Sequence, residues 1–222
     1  MKTRKIGITI LILLILKGFM AGNKQETIKK ARIIIINDFE KGIIWNSLDN
    51  RSGVFQKEPS YCWPDMGMNK SYKKKLVETS GHYLILDYDK KEEGGPYDQG
   101  GWCGWYTLLK TEDDKYLNLT GFNYLRFFIK KTGDEDFTIG LADKKWDLIG
   151  DSVKIEGPIE DFIVKRYKTG WIEIKIPFSE FSGLDFSRMA AFAIIFLPSR
   201  GKLFIDNLIV GFDPALGTVD EE

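Results

Sequence analysis

From Ile33 onward the hydrophobic positions recur mainly at every second residue, the period of a strand with one buried face. Ile33–Ile36 is a β-branched run that ends at Asn37 and Asp38. His82–Tyr88 alternates around Leu84 and Leu86. In Tyr124–Lys130, Leu125, Phe127 and Ile129 share one face, and Tyr124, Arg126 and Phe128 share the other. Phe137, Ile139 and Leu141 stand in register, and Trp171–Ile176 turns Ile172, Ile174 and Ile176 inward with Glu173 and Lys175 outward. Ala191–Leu197 is apolar on both faces, the pattern of a central strand, and Leu203–Val210 closes the set. Clusters of Gly, Pro, Asn, Asp and Ser separate these runs at 50–53, 93–96, 100–101, 132–134, 156–158 and 198–201. No helix of three turns is predicted after residue 31; Ser179–Ser182 suits a short turn. Many strands between turns, without alternating helices, predict an all-β, antiparallel β-sandwich.

The first residues follow another pattern. Lys2, Arg4 and Lys5 precede a charge-free apolar run, Ile6 to Leu16, which ends at Lys17. A full membrane span needs about 20 apolar residues. The run is shorter and fits the apolar core of an export signal. Residues 1–22 are therefore read as a signal peptide or an N-terminal anchor. Ala21 and Gly22 suit cleavage, whereas Phe19 and Met20 do not, so both fates stay open. Uncleaved, the segment would be a membrane tether. No Cys closely follows the run, which argues against a lipid anchor. The organisation expected is 23–32 linker, 33–211 sandwich and 212–222 acidic tail. The destination expected is periplasmic, secreted or associated with the cell envelope.

Charge narrows the partners. The 32 basic and 32 acidic side chains cancel, and a nucleic-acid partner would call for a basic surface, so none is expected. In an exported chain Cys62 and Cys103 are a candidate disulfide; two buried free thiols are the alternative. Catalytic machinery is not legible. His82 is the only histidine, at the start of a strand, so any Ser–His–Asp or Cys–His arrangement would have to use it. Zinc spacing, a phosphate loop and a dinucleotide fingerprint are missing from the sequence. Nothing in it selects a carboxylate pair for glycoside hydrolysis. A non-catalytic domain is expected.

Aromatic residues make up 14% of the chain and six are Trp, an excess that points to a binding face as well as a core. Two stretches concentrate them, Tyr61–Pro64 and Gly94–Tyr106. In the second, Tyr97, Trp102, Trp105 and Tyr106 lie among glycines that let side chains project. Aromatic faces accept the C–H faces of sugar rings, and Asp98 and Gln99 nearby offer bonds to hydroxyls. The alternative is that the tryptophans plug the core under a long loop. The odd spacing of Trp102 and Trp105 sends them to opposite faces of a regular strand, one inward and one outward. Asp206 lies within an apolar strand, where an unpaired charge is costly. A metal, a salt bridge or a solvated edge would each answer that need.

The segment Lys168–Phe181 (KTGWIEIKIPFSEF) resembles the t-x-W-x-x-v-x-I-P-f-s-x-F stretch of galactose-binding-like jelly rolls. Leu184–Phe186, Met189–Phe196 and Gly201–Leu208 follow in the same order as in carbohydrate-binding modules similar to family 11. A family of complex I assembly factors shares the fold. Asn37–Glu40 (NDFE) resembles the first-strand motif. The resemblance covers roughly residues 33–211. It implies a jelly-roll sandwich that recognises a carbohydrate. It also implies a structural calcium ion, Ca2+, tying the first strand to the last, with Glu40, Asp206 and Asp38 as ligands. By the same resemblance Tyr124, Arg126 and Phe128 are equivalents of a ligand-facing sheet. The expected ligand contacts are thus Tyr97, Asp98, Gln99, Trp102, Trp105, Tyr124 and Arg126. A protein-interaction or assembly domain of the same fold, or a glycan-active hydrolase, are the alternatives; a scaffold of this kind serves several functions.

Overall fold

The computed structural model describes residues 32–68 and 81–216. The segment read as export signal or tether, most of the linker and the end of the acidic tail lie outside the described residues. Among the described residues twelve strands form: β1 (Ile33–Asn37), β2 (Ser52–Lys57), β3 (Tyr61–Met68), β4 (His82–Lys90), β5 (Trp102–Leu108), β6 (Tyr124–Lys130), β7 (Phe137–Asp143), β8 (Val153–Lys154), β9 (Ile163–Arg166), β10 (Ile172–Pro177), β11 (Met189–Phe196) and β12 (Ser199–Gly211). They make two antiparallel sheets. The larger has the order β3-β4-β12-β6-β10-β9, with β1 also on β12, and the smaller has the order β2-β5-β11-β7-β8.

The period-two pattern explains this layering. Leu84, Leu86 and Tyr88 of β4, Leu125, Phe127 and Ile129 of β6, and Ile174 and Ile176 of β10 turn inward from the larger sheet, all buried. Trp105 of β5, Ile139 and Leu141 of β7, and Phe192, Ile194 and Phe196 of β11 meet them from the smaller sheet, equally buried. Each such side chain contributes roughly 1.5–3 kcal/mol on leaving water. Aromatic contacts join the sheets. Tyr88 stacks on Phe196 at 3.5 Å, and Phe127 meets Phe192 edge-on at 5.9 Å.

Register breaks in β12 between Asp206 and Ile209. Asn207 takes a left-handed backbone there (φ 48), as in a bulge that adds a residue and re-phases the strand. Ile205 and Leu208 can then both be buried on the core side.

The cysteines correct one expectation. Cys62 turns inward from β3 of the larger sheet and Cys103 from β5 of the smaller. Both are buried, free and far apart, so no disulfide is formed. A bridge needs close and suitably aimed Cβ atoms. Burial pushes both thiols up, Cys103 to about 11. At pH 8 the folded protein is therefore expected to resist iodoacetamide, and to take up two equivalents once unfolded in guanidinium. Rapid labelling of the native protein, or an unfolded protein without reactive thiols, would contradict this.

Candidate functional site

The outer face of the smaller sheet is where the sequence builds a cleft. In β5 the even positions Trp102, Gly104 and Tyr106 face outward, while Cys103 and Trp105 face the core. Register sets one outward rung as Gly53, Tyr106, Ala193, Gly140 and Lys154 across the five strands. The neighbouring rung is Phe55, Gly104, Ile195 and Thr138. Aromatic side chains thus stand over β2 and β5, and small residues (Gly140, Ala142, Ala191, Ala193) pave the centre. The space above them is a cleft of about 490 Å³, inside the range of roughly 300–1,000 Å³ common for small-ligand sites.

The rings are seated by glycines. Phe55 lies over Gly104, and a Cβ at Gly53 would stand 3.1 Å from the Tyr106 hydroxyl. Trp102 is 46% exposed at the cleft's edge.

The opposite side is polar and comes from the segment after the short helix α1 (Lys144–Ile149). Asp143 caps this helix, its Oδ1 accepting the Lys145 and Trp146 N–H groups at 2.9 and 3.0 Å. Gly150 ends it in a left-handed conformation (φ 70), as helix C-caps often do. The chain then returns so that Ser152 lies over Gly140. Asp151 accepts the Lys154 ammonium at 3.0 Å. Its carboxyl is held below the usual range by the Ser152 N–H and by Lys154. Across the cleft from the rings stand a carboxylate, a hydroxyl and an ammonium, hydrogen-bonding groups of both kinds.

Of the residues expected to meet a ligand, Trp102 lies in this cleft. Trp105 does not. It is fully buried against Phe39 (5.9 Å) and Phe192 (6.2 Å), because its place in β5 is an inward one. Tyr124 and Arg126 lie outside the cleft too, since β6 carries them on the outer face of the other sheet. Tyr124 is buried under Lys175, whose ammonium is 4.5 Å from the ring, and Arg126 faces Glu173 at 3.6 Å. Phe128 is buried beside Tyr167 on that same face.

Tyr97, Asp98 and Gln99 belong to a glycine-rich loop. Asp98 is spent on it, Oδ1 accepting the Gly94 N–H at 2.7 Å, and the Gln99 carbonyl accepts from Lys90 at 3.0 Å. Tyr97 projects from it, 89% exposed, with φ 60. A left-handed backbone strains any residue with a Cβ. Tyr97→Gly is expected to stabilise the fold by up to about 1 kcal/mol, read as a higher urea midpoint. A lower midpoint would show that the ring holds the loop by contacts.

Phe55, Ala191, Ala193, Ile195, Asp151, Ser152 and Lys154 are site residues the sequence reading missed. The alternation of Ala with Phe and Ile in Ala191–Ile195 was the available signal, small residues on one face and large on the other.

The acidic residues expected to hold calcium are engaged elsewhere. Glu40 accepts the Gly81 and His82 N–H groups at 2.6 and 3.1 Å and meets His82 Nδ1 at 2.9 Å. Partial burial raises the Glu40 carboxyl, but these bonds outweigh it and leave it lowered. Asp38 accepts from Ser47 at 2.9 Å, and Asp206, fully buried, from the Asn207 N–H at 2.7 Å. Among the described residues no three Asp, Glu, His or Cys side chains gather as a metal set. Calcium takes 6–8 oxygens, and the three carboxylates do not gather to supply them together.

A family model described as Carbohydrate binding domain 30 (CBM30) matches residues 54–210. The chain belongs to this family. This CBM30 domain is a non-catalytic carbohydrate-binding module. Solved structures place the fold among jelly rolls. The family 11 carbohydrate-binding module from Clostridium thermocellum, in complex with a β-1,3-1,4-mixed-linked tetrasaccharide, is 18% identical with a TM-score of 0.54. The match covers 80% of this chain and 94% of that one. The family 11 module of the cellulosomal cellulase Lic26A-Cel5E of Clostridium thermocellum is 16% identical, with a TM-score of 0.51 and coverage of 81% and 94%. Among curated proteins none matches the chain.

Proposed function

We propose that the CBM30 domain takes its carbohydrate as an extended chain in the cleft on the outer face of the smaller sheet. One observation carries this reading: a floor of Gly and Ala lies between aromatic rings on one side and Asp151, Ser152 and Lys154 on the other. The floor lets a sugar approach the backbone. Phe55, Trp102 and Tyr106 give apolar faces for its C–H bonds. The polar side then exchanges bonds with hydroxyls. Because rings and floor are set by register and by packed glycines, little order has to be created on binding, which favours affinity.

In this reading residues 1–22 deliver the domain outside the cytoplasm, where glycan polymers are met. N-terminal sequencing of protein made in its own host separates cleavage from anchoring. The binding function is tested by affinity electrophoresis in gels cast with a panel of soluble polysaccharides. Retardation by at least one polysaccharide, relieved by Trp102→Ala, supports the reading. Retardation that Trp102→Ala leaves untouched would move the site elsewhere.

A further inference from the structure

A second aromatic surface remains that the cleft does not use. β2 and β3 are edge strands, one of each sheet, and residues 58–60 join them, so the two edges share a flank of the sandwich. Along β3, Tyr61 and Trp63 alternate outward, opposite Asp89 and Asp87, while Cys62 enters the core. Trp63 is 63% exposed and Tyr61 39%, against 0% for Trp105. An indole left in water forgoes the stabilisation that burying it would give.

Beside these rings is a cavity of about 600 Å³ lined by Gln56, Lys57, Glu58, Pro59, Tyr61 and Trp63, with Ser60 behind them. Its polar groups are placed. Gln56 Oε1 accepts the Cys62 N–H at 2.8 Å, which orients the amide and presents Nε2 as a donor. Lys57 and Glu58 are exposed, and neither enters an ion pair among the described residues. The turn beneath is clamped. Ser60 Oγ donates to the Gly100 carbonyl and accepts the Lys91 N–H at 2.8 Å. Gly95 and Gly101 pack so closely on Glu58, Pro59 and Lys57 that a Cβ at either would collide with them. The glycine-rich stretch thus holds the 57–60 turn rigid.

We infer that this flank is a second carbohydrate site, in which Trp63 and Tyr61 stack a sugar and Gln56, Lys57 and Glu58 bond its hydroxyls. The inference rests on the reading that the domain binds glycans. The lining favours a sugar over a protein partner, because rings and hydrogen-bonding groups make it up and Pro59 is its one aliphatic member. The cleft lies on the outer face of the smaller sheet and this site on the flank where the edges of the two sheets meet, so one domain would bridge two glycan chains or grip one polymer twice, with the gain in avidity that linkage brings.

The experiment uses a glycan array with the domain whose cleft is blocked by Ala193→Trp. This variant is expected to keep a subset of the wild-type signals, and adding Trp63→Ala is expected to lower them tenfold or more. Trp63→Tyr in the same background should retain part of them. Thermal melts of each variant confirm folding, which exposed Trp63 does not govern. If the blocked domain loses every signal that the wild type has, the second site falls and the cleft stands; if Trp63→Ala leaves the blocked domain's signals unchanged, the second site falls. If the wild type binds no glycan, the cleft reading falls with it. Sedimentation velocity gives one further overturning result: a wild-type dimer made monomeric by Trp63→Ala would make the flank a self-interface.

Discussion

Trp105→Ala is expected to destabilise the domain by about 3–5 kcal/mol, the loss typical of emptying a buried aromatic site. Trp105 is fully buried between Phe39 and Phe192, so its loss leaves a large cavity in the core. For a domain of this size that loss lowers Tm by roughly 6–20 °C. Trp105→Phe should cost less than the loss of ring area suggests. The indole Nε1 is buried without a hydrogen-bond partner, and removing that orphan donor returns part of the deficit. Trp102→Ala gives the opposite profile, with stability within about 1 kcal/mol of wild type, as for most exposed positions, and glycan affinity reduced tenfold or more. Melts and titrations on the same two proteins test this. Stability lost at 102 and kept at 105 would reverse the assignment of faces in β5.

The second large effect is expected at the cleft floor. Ala193 stands between Tyr106 and Gly140 in register, half-buried on the outer face. Ala193→Trp fills the space a sugar would take, and is expected to weaken binding in the cleft by about a hundredfold or more. Its side chain points away from the core, so the melting temperature should change little. A variant that binds as well as wild type would place the carbohydrate away from the small-residue floor. A variant that fails to fold would mean the floor is closed by contacts across it; Ala193→Leu then repeats the test with a smaller side chain.

The sandwich was legible because each strand with one buried face writes a period of two. Ile172, Ile174 and Ile176, or Leu125, Phe127 and Ile129, need no tertiary information to be assigned inward. The family resemblance added the jelly roll. Other elements were harder to see. β3 contains Pro64 and Gly67, residues that weaken a strand signal and are tolerated because β3 is an edge. The bulge at Asn207 depends on pairing with β6, far away in sequence.

The site was harder still, because strand pairing decides it and strand pairing is not local. Trp102 and Tyr124 were both expected to contact the ligand, yet β5 and β6 join different sheets, so their outward faces look in opposite directions. The spacing of Trp102 and Trp105 showed that one of them is core without showing which. Ala191–Leu197, apolar on both faces, was read as a central strand, and β11 is one. What the pattern hid is that its Ala face is a sheet exterior, the floor of a cleft. Cys62 and Cys103 were paired on compartment and number, and fail as a pair because they stand far apart, both buried.

The most direct test of the cleft is a backbone-amide NMR titration of the domain with a polysaccharide fragment that it binds. The account predicts chemical-shift changes that include β5, β7 and β11, with Trp102, Tyr106, Gly140 and Ala193 among the most affected. The outer face of β6 and β10, around Tyr124, Arg126 and Lys175, should be silent. Shifts confined to that face, with Trp102 and Ala193 unmoved, would contradict it.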